Sequence, residues 1–534
     1  MIYNCIKSPL IFLCLIGMVW GLNAHMDANV IEASQPKVSG TLIGRDGLLA
    51  VPVMRGEFMP KPIMGVGISS DGKVYVTETI RQQREEISLI QSPFLHENDM
   101  ELTSTKAKRQ WIIENYSPQI AARQRLGDYN GDGKVDVGDL SVRSEKIYTL
   151  QDENADGVFD KATLFADGFN KVLTGVAHSV TPIGGHVYTT IIPDLWKLTD
   201  TDGDGVADRR ESIAHGFAPH IGYGNHDLHS IVQGYDGKLY WSMGDRGLDV
   251  LTKKGKRVSN PHSGCILRCN PDGSEFEVFA NGLRNCQYFD FDNYGNIFAV
   301  DHDADFPGER ERLVYLPEGS DSGWRMYYQY RNTTLVRAAR DDLYNPWLGE
   351  KMWLPFHKGQ PSHLLPAIEN SWNAPAAFSF QPGTALDGAY RDHFLLGGMG
   401  NIRAFRMIAD GAGFKRQGEH ILIQGLGVQV LTSAFGPDGR LYFTLWRPSR
   451  GMSQLWTLQA KTNSQKMIQV KEILAKTKKP NPLMNFLPFL DTQIAEFASK
   501  RSLHLSPEVR VRPCVPWQRI VKPSSSLGYI ACGG

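Results

Sequence analysis

Three short acidic stretches carry the most readable chemistry in this chain. The first places Asp128, Asn130, Asp132, Asp136 and Asp139 at positions one, three, five, nine and twelve. The second repeats the phase with Asp152, Asn154, Asp156 and Asp160, and the third with Asp200, Asp202, Asp204, Asp208 and Glu211. Oxygens at positions one, three and five wrap a hard cation such as Ca2+, and the glycine at position six permits the sharp turn. The third loop is the most complete, because Glu211 supplies a carboxylate at position twelve. The first ends in the shorter Asp139, and the second has Thr163 there. An ordinary acidic turn is the alternative, since Asp, Asn and Gly favour turns on their own. Three loops in one phase favour structural calcium that knots long inter-strand loops.

Loops of this kind need a scaffold, and the sequence repeats one. Gly65–Glu78, His229–Ser242 and Leu431–Thr444 share a pattern of apolar alternation, Asp-Gly, and apolar alternation again. Weaker copies lie at Gln287–Val300, Gly175–Ile191 and Phe378–Leu396. Each reads as strand, tight turn, strand, with the Asp-Gly pair supplying the positive-φ turn. Repeats at this spacing indicate an all-β, six-bladed β-propeller over residues 25–460. A β-sandwich with several Asp-Gly hairpins is the competing architecture. Residues 81–127 are charged and lack alternation, which predicts a helical insertion between the first two blades. The acidic loops then occupy 128–139, 152–163 and 200–211. Residues 461–505 read as a short helical C-terminal extension. Residues 506–534, broken by Pro513 and Pro516, read as a disordered or truncated tail.

Composition narrows the partners. Lys+Arg and Asp+Glu both number 57, and 42% of residues are hydrophobic. Zero net charge gives no pull toward nucleic acid. Lys7, the apolar run Pro9–Leu22 and Ala24 read as a secretory signal over residues 1–24. The run is shorter than the ~20 apolar residues a spanning helix needs. No later stretch is long and apolar enough, so the expectation is a periplasmic or secreted protein without a transmembrane segment after signal removal. Five cysteines follow the signal, Cys265, Cys269, Cys286, Cys514 and Cys532. An odd, sparse set is no disulfide framework. No Cys-x-x-Cys-His occurs, so covalent c-type haem is not encoded.

The stretch Gly224–Gly247 holds His226, Asp227, Leu228, His229 and, beyond an Asp-Gly turn, Gly244-Asp245. Downstream lie Arg284, Asn285 and Gln287, and then Gly319–Trp324. Over about residues 175–330 this resembles the soluble quinoprotein glucose/sorbosone dehydrogenases. The chain as a whole is similar to the multidomain dehydrogenase-like proteins of planctomycete-like bacteria. The resemblance implies that His226 is a catalytic base oriented by Asp245. It implies that Arg284 stabilises charge on a reduced quinone, while Asn285 and Gln287 face cofactor and sugar. The implied cofactors are pyrroloquinoline quinone and Ca2+, and the implied partners are a sugar and an electron acceptor. The residue types suit this: imidazole is the natural base near neutral pH, and a carboxylate fixes its tautomer.

The chain also departs from that family. Leu228 and His229 stand where the family has glycines, and on a regular strand His229 faces away from His226. A segment around Asp301–Gly308 replaces the family's calcium-binding carbonyls. Arg391, Arg403 and Arg406 are the candidates for the basic groups that clamp a quinone. Two further readings compete with the sugar dehydrogenase. A metal-dependent lactone hydrolase would use His226, Asp301 and Asp303. A non-catalytic carbohydrate- or protein-binding propeller would present Trp324, Trp347 and Trp353 to a sugar, although these tryptophans read better as blade core.

Overall fold

The computed structural model describes residues 41–461, apart from 56–58, 61, 82–85, 303–304, 307, 331–343, 371–373 and 448–451. The chain divides into two units, Met1–Pro480 and Asn481–Gly534. The second unit, the signal segment 1–24 and all but the first residue of the extension lie outside the described residues.

The Asp-Gly phrase becomes structure in the same way at each strong copy. Ser69, Gly234 and Gly436 each donate a backbone hydrogen bond of 2.9 Å to the residue four further on. The glycine of each turn takes positive φ, 88° at Gly72, 79° at Gly237 and 77° at Gly439, where a side chain would be strained. The first two of these turns join the opening strands of the first and third antiparallel sheets, and the turn at Gly439 joins Gly413–Phe435 to Leu441–Arg447 within the last sheet. The weaker copies join the opening strands of the second, fourth and last sheets.

Four sheets have four strands each. The first contains Ile63–Ile68, Val74–Glu78, Glu145–Gln151 and Lys161–Phe169. The second contains Ala177–Ile183, His186–Ile191, Asp194–Thr199 and Arg209–His215. The third contains Leu228–Gln233, Leu239–Met243, Gly264–Cys269 and Glu277–Leu283, with a side hairpin of Leu248–Leu251 and Arg257–Asn260. The fourth contains Cys286–Phe291, Ile297–Asp301, Arg312–Tyr315 and Glu369–Asn370. The last sheet has seven strands, running from Phe378–Phe380 through the long Phe394–Asp410 and Gly413–Phe435 to Leu441–Arg447, Met452–Ala460, Leu48–Pro52 and Leu42–Ile43. Leu48 pairs with Ala460, so an early strand completes a late sheet.

The arrangement is propeller-like. The first strands touch in chain order, from Ile63–Ile68 to Ala177–Ile183, Leu228–Gln233, Cys286–Phe291 and Phe378–Phe380, and Gly413–Phe435 returns to Ile63–Ile68. Apolar clusters fill the spaces between neighbouring sheets. Trp241, Phe217, Phe276 and Leu228 form one, and Phe298, Phe378, Phe394 and Phe405 another. Among the described residues no helix is long and apolar enough to cross a membrane.

The helical insertion is present, but its place differs from the sequence expectation. His96–Met100, Thr105–Asn115 and Pro118–Gln124 fall between the second and third strands of the first sheet, not between two sheets. Ser104 and Ser117 cap the two longer helices. Alternation stops where the helices begin, which located the insertion, but nothing in the sequence shows that the interrupted sheet resumes afterwards. Ile112, Ile120 and Leu126 pack with Ile221, Tyr223 and Met326. Asp99 accepts backbone hydrogen bonds from Ile221 and Gly222. Lys108 donates to the carbonyls of Ala218 and His220 at 3.1 and 2.9 Å. The insertion therefore grips the segment that delivers His226.

Candidate active site

His226 sits just before the first strand of the third sheet, and Asp245 just after the second. The hairpin brings them together: His226 Nδ1 lies 2.7 Å from Asp245 Oδ1. Gly244 makes this possible, since a Cβ there would fall 2.6 Å from the His226 backbone. Trp324 Nε1 donates to the other Asp245 oxygen at 2.8 Å. The Asp245 amide donates to the Arg284 carbonyl, also at 2.8 Å. The carboxylate is thus held at both oxygens and its residue anchored through the backbone, and the imidazole is held with Nδ1–H on the Asp245 side. Nε2 has no partner among the described residues, and His226 is 5% exposed.

His229 does not face away. A register shift between His229 and Ile231, with Ser230 at φ 36°, breaks the strand alternation. That shift follows His229, and the cause lies upstream. His226 precedes the strand, which begins at Leu228, and Asn225 at φ 76° turns the chain there, so strand alternation does not relate the two imidazoles. The His229 ring meets His178, centroids 4.1 Å apart, and Nε2 donates to the Asn225 carbonyl at 3.2 Å. Leu228 points the other way, into the core around Trp241 and Met243. The glycine-to-bulky replacements therefore leave one side chain at the centre, not two.

Around this lies a set of buried charges. Asp227 pairs with Arg246, which also pairs with Glu86 of the insertion region. Burial works to raise the Asp227 pKa, but Arg246 and then His178 outweigh it and hold the carboxyl well below its usual range. Burial, with His178 beside it, pushes His229 well below the ordinary imidazole value. Burial and then the Arg284 charge push His302 down to about 3.

Arg284, Asn285 and Gln287 do lie beside His226, though in other roles than the resemblance implies. Arg284 forms a two-pronged pair with Asp305 at 2.7 and 2.6 Å and donates to the His302 carbonyl. Its charge is therefore already answered. Asn285 Nδ2 donates to the Asn225 carbonyl at 3.3 Å. Among the described residues, four buried polar atoms of this region have no hydrogen-bond partner, Asn225 Oδ1, Asn285 Oδ1, Gln287 Oε1 and His302 Nε2, while His178 Nε2 and Asp227 Oδ2 face each other at 3.6 Å. Such atoms are rare in folded proteins, and a group of them on adjoining segments marks a place where a polar ligand or water belongs.

Two alternatives lose support here. The Asp301 carboxylate is taken up by Arg312 and by the backbone amides of Arg284 and Asn285. It is not a free metal ligand, and Asp303 lies outside the described residues. Trp324 and Trp347 are fully buried in one cluster with Phe306 and Met352, so neither offers a sugar-stacking face. The basic candidates are elsewhere as well. Arg403 pairs with Glu419, while Arg391 and Arg406 line an open depression with Arg45, Asp46, Tyr390, His393 and His420.

Quinone fit can be judged from these charges. Pyrroloquinoline quinone brings three carboxylates, which call for uncompensated cations. At the centre, Arg246, Arg284 and Arg312 each already face a carboxylate. The unpartnered atoms are mostly oxygens, which accept hydrogen bonds and suit a neutral ligand rich in hydroxyls. Among the described residues these paired arginines do not fit a tricarboxylate.

The acidic loops sit where strands three and four meet in the first two sheets and ahead of strand three in the first. Asp200, Asp202 and Asp208 bring carboxylate oxygens within 4.8 Å of one another. Glu211 does not join them: its strand turns it to Lys253 at 2.6 Å. Asp204 caps the Val206 amide. In the first loop Asp128, Asn130, Asp132 and Asp136 accept backbone amides within the turn. Asp139 folds back to accept from Tyr129, Asn130 and Asp136. In the second loop Asp152, Asn154 and Asp160 do the same, while Asp156 also pairs with Arg55. Sequence reasoning assigned no role at the centre to His178, Asn225, Asp227 or His302, and read Trp324 as blade core. Only His178 lies within a strand, so alternation carried no signal for the others.

Comparison with known proteins follows from this geometry. Similar solved structures include a quinone-bound aldose sugar dehydrogenase from Streptomyces coelicolor, 14% identical, covering 76% of this chain and 96% of that one at a TM-score of 0.43. A soluble aldose sugar dehydrogenase from Escherichia coli is 12% identical over 59% of this chain and 90% of that one, TM-score 0.41. The quinone domain of a pyranose dehydrogenase from Coprinopsis cinerea is 10% identical over 80% and 98%, TM-score 0.43. These likenesses are remote. A search of curated proteins finds no match. A family model described as a domain of unknown function, DUF7133, matches residues 69–446, and the chain belongs to that family.

Proposed function

We propose that this protein is a dehydrogenase-like propeller that binds a carbohydrate-class polyol at its centre and removes a hydroxyl proton with His226. The observation that carries the reading is the Trp324–Asp245–His226 series, at 2.8 and 2.7 Å, which leaves Nε2 as the accepting atom. Asp245 then stabilises the imidazolium that forms, and the proton can return to solvent. The unpaired oxygens of Asn225, Asn285 and Gln287 would take the remaining hydroxyls of the ligand. Oxidation also requires a two-electron acceptor. The paired arginines favour one that arrives from outside over a resident quinone.

Six blades follow on this reading. The seven-stranded sheet divides at Gly400, Gly425 and Gly427, which take positive φ. Phe394–Asp410 pairs with Phe378–Phe380 at its start and with Gly413–Phe435 beyond Met399, and Gly413–Phe435 pairs with Leu441–Arg447 only from Gln429 on. Each half is one blade. Calcium at Asp200, Asp202 and Asp208 and export by residues 1–24 complete the proposal.

The test is reduction of a soluble quinone dye by the purified chain with a panel of aldoses and alditols, with and without pyrroloquinoline quinone and Ca2+. Sugar-dependent reduction supports the reading, and its absence under every condition sinks it. A non-catalytic polyol-binding propeller is the second reading, favoured by the 5% exposure of His226. Binding without turnover would establish it.

A further inference from the structure

The fourth sheet sets a second imidazole near His226. His302 directly follows the strand Ile297–Asp301, and its amide donates to the carbonyl of Asn285, the residue before Cys286–Phe291, at 3.3 Å. One sheet earlier Gly244 makes the matching bond, to the Asp227 carbonyl at 2.9 Å. The two hairpins are closed in the same way, and a ring stands on the fourth where the third has a glycine. Asn285 also ties this hairpin to the neighbouring one. Its Nδ2 donates to the carbonyl of Asn225, the residue before His226, at 3.3 Å. His302, Asn285, Asn225 and His226 therefore form one connected group, close enough that a charge on His226 acts on the His302 ring.

The surroundings settle what this ring offers. The Pro375 carbonyl accepts a hydrogen bond from it, and Nε2 has no partner among the described residues. Nδ1 therefore carries the proton, and Nε2 keeps a lone pair. The residue is 3% exposed, and burial together with Arg284 holds the ring neutral. A neutral Nε2 accepts and does not donate. The same holds for the unpartnered oxygens beside it, Asn225 Oδ1, Asn285 Oδ1 and Gln287 Oε1. Buried acceptors left without donors are destabilising, so this group is built for donors supplied from outside the chain. Arg284, which disfavours a proton on the ring, disfavours a metal ion or an ammonium there for the same reason. The fitting donor is a neutral hydroxyl.

We propose that His302 Nε2 is a specificity-determining contact that accepts a second hydroxyl of the sugar whose first hydroxyl meets His226. The inference rests on the polyol reading of the centre and adds that the ligand is a neutral sugar with a required hydroxyl at one defined carbon. A sugar with hydrogen at that carbon leaves the buried imidazole unfilled and is rejected.

Calorimetric titration of the full chain with D-glucose, D-galactose, D-xylose and D-sorbitol finds the tightest ligand, and the monodeoxy forms of that sugar are then compared. One monodeoxy form should bind the wild type about tenfold more weakly than its parent, the scale of one buried hydrogen bond. His302→Phe keeps a ring and removes the acceptor. It should weaken the parent by a similar factor and lose the discrimination against that one form alone. His302→Gln returns an acceptor and should recover part of both. Melting temperatures are recorded, and His302→Leu is read in place of His302→Phe where the larger ring lowers the melting temperature. Parent binding unchanged in the variant, or every monodeoxy form penalised as in the wild type, would overturn the proposal; both are the results expected if Nε2 holds only water. Either outcome leaves the His226 reading standing, because the sugar still binds. Binding governed by His302 without turnover removes the catalytic reading and keeps this one, and no binding by any of the four removes both.

Discussion

Asp245 divides its two oxygens between an imidazole and an indole, and this division is what makes His226 directional. Trp324→Phe keeps the ring but removes the donor, leaving Asp245 Oδ2 without its 2.8 Å partner. Turnover should fall about tenfold, the scale of one hydrogen bond to a charged group, with KM little changed. A change confined to KM would show that Trp324 only packs. The His226–Asp245 pair was legible in the sequence because a two-stranded hairpin fixes the distance between its ends. Trp324 was not, since it arrives from 79 residues away and reads as core until its Nε1 is placed. Arg284 was legible in position and not in role, because Asp305 belongs to a loop with no regular pattern. Asp290 offers a separate test of buried charge. Burial raises its pKa from 3.8 to about 6, against the backbone bonds it accepts from Phe380 and Phe291. A carboxyl whose folded pKa is raised favours the folded state when protonated, and that advantage is lost as pH rises through about 6. Relative to Asp290→Asn, the wild type should therefore lose about 2–3 kcal/mol of stability between pH 4 and pH 7. A difference that stays flat with pH would contradict the burial.

At the scale of elements, one strand boundary reverses the expectation for a whole side chain. Regular alternation puts His229 opposite His226, but the strand begins only at Leu228, after a turn in which Asn225 takes φ 76°, so both imidazoles reach the centre. Nothing in the run Asn225–His229 marks where the strand starts, so that boundary was invisible in the sequence. The turns were visible, because Asp-Gly has few other uses between alternating strands. The acidic loops fall between these cases. Their spacing reads as calcium loops, and the segments do fold as turns, yet Glu211 is carried off by its strand to Lys253. If Asp200, Asp202 and Asp208 hold calcium, excess chelator should lower the melting temperature. The loss approaches about 2.7 kcal/mol when calcium exceeds its dissociation constant a hundredfold. Asp202→Ala should lower it further than Asp156→Ala, whose carboxylate stands outside that group on Arg55. A melting temperature indifferent to chelator would remove calcium from the account.

The whole molecule depends on closure. Leu48–Pro52 pairs with Met452–Ala460, and Ala50, fully buried opposite Leu458, lies at that seam. Ala50→Asp buries an unpaired carboxylate there and should cost several kcal/mol in denaturant unfolding, or abolish the folded state. A tolerated substitution would mean that the seam does not hold the ring. Closure also explains why the centre can be so polar. Each first strand needs to satisfy only its own apolar face, and the channel side collects His178, His226, His229 and His302 from three separate sheets. The repeats disclosed the blades, but which residues meet at the axis depends on how the sheets are rotated about it, which one blade's sequence does not encode. The central claim is that this assembled centre takes a proton from a sugar hydroxyl at His226. The most direct measurement is aldose-dependent reduction of a soluble quinone dye by the wild type and by His226→Ala, with melting temperatures recorded for both. The account predicts turnover in the wild type and a loss of about 10²–10⁴-fold in the variant at an unchanged melting temperature. Equal activity in the folded variant, or none in the wild type with any sugar, would contradict it.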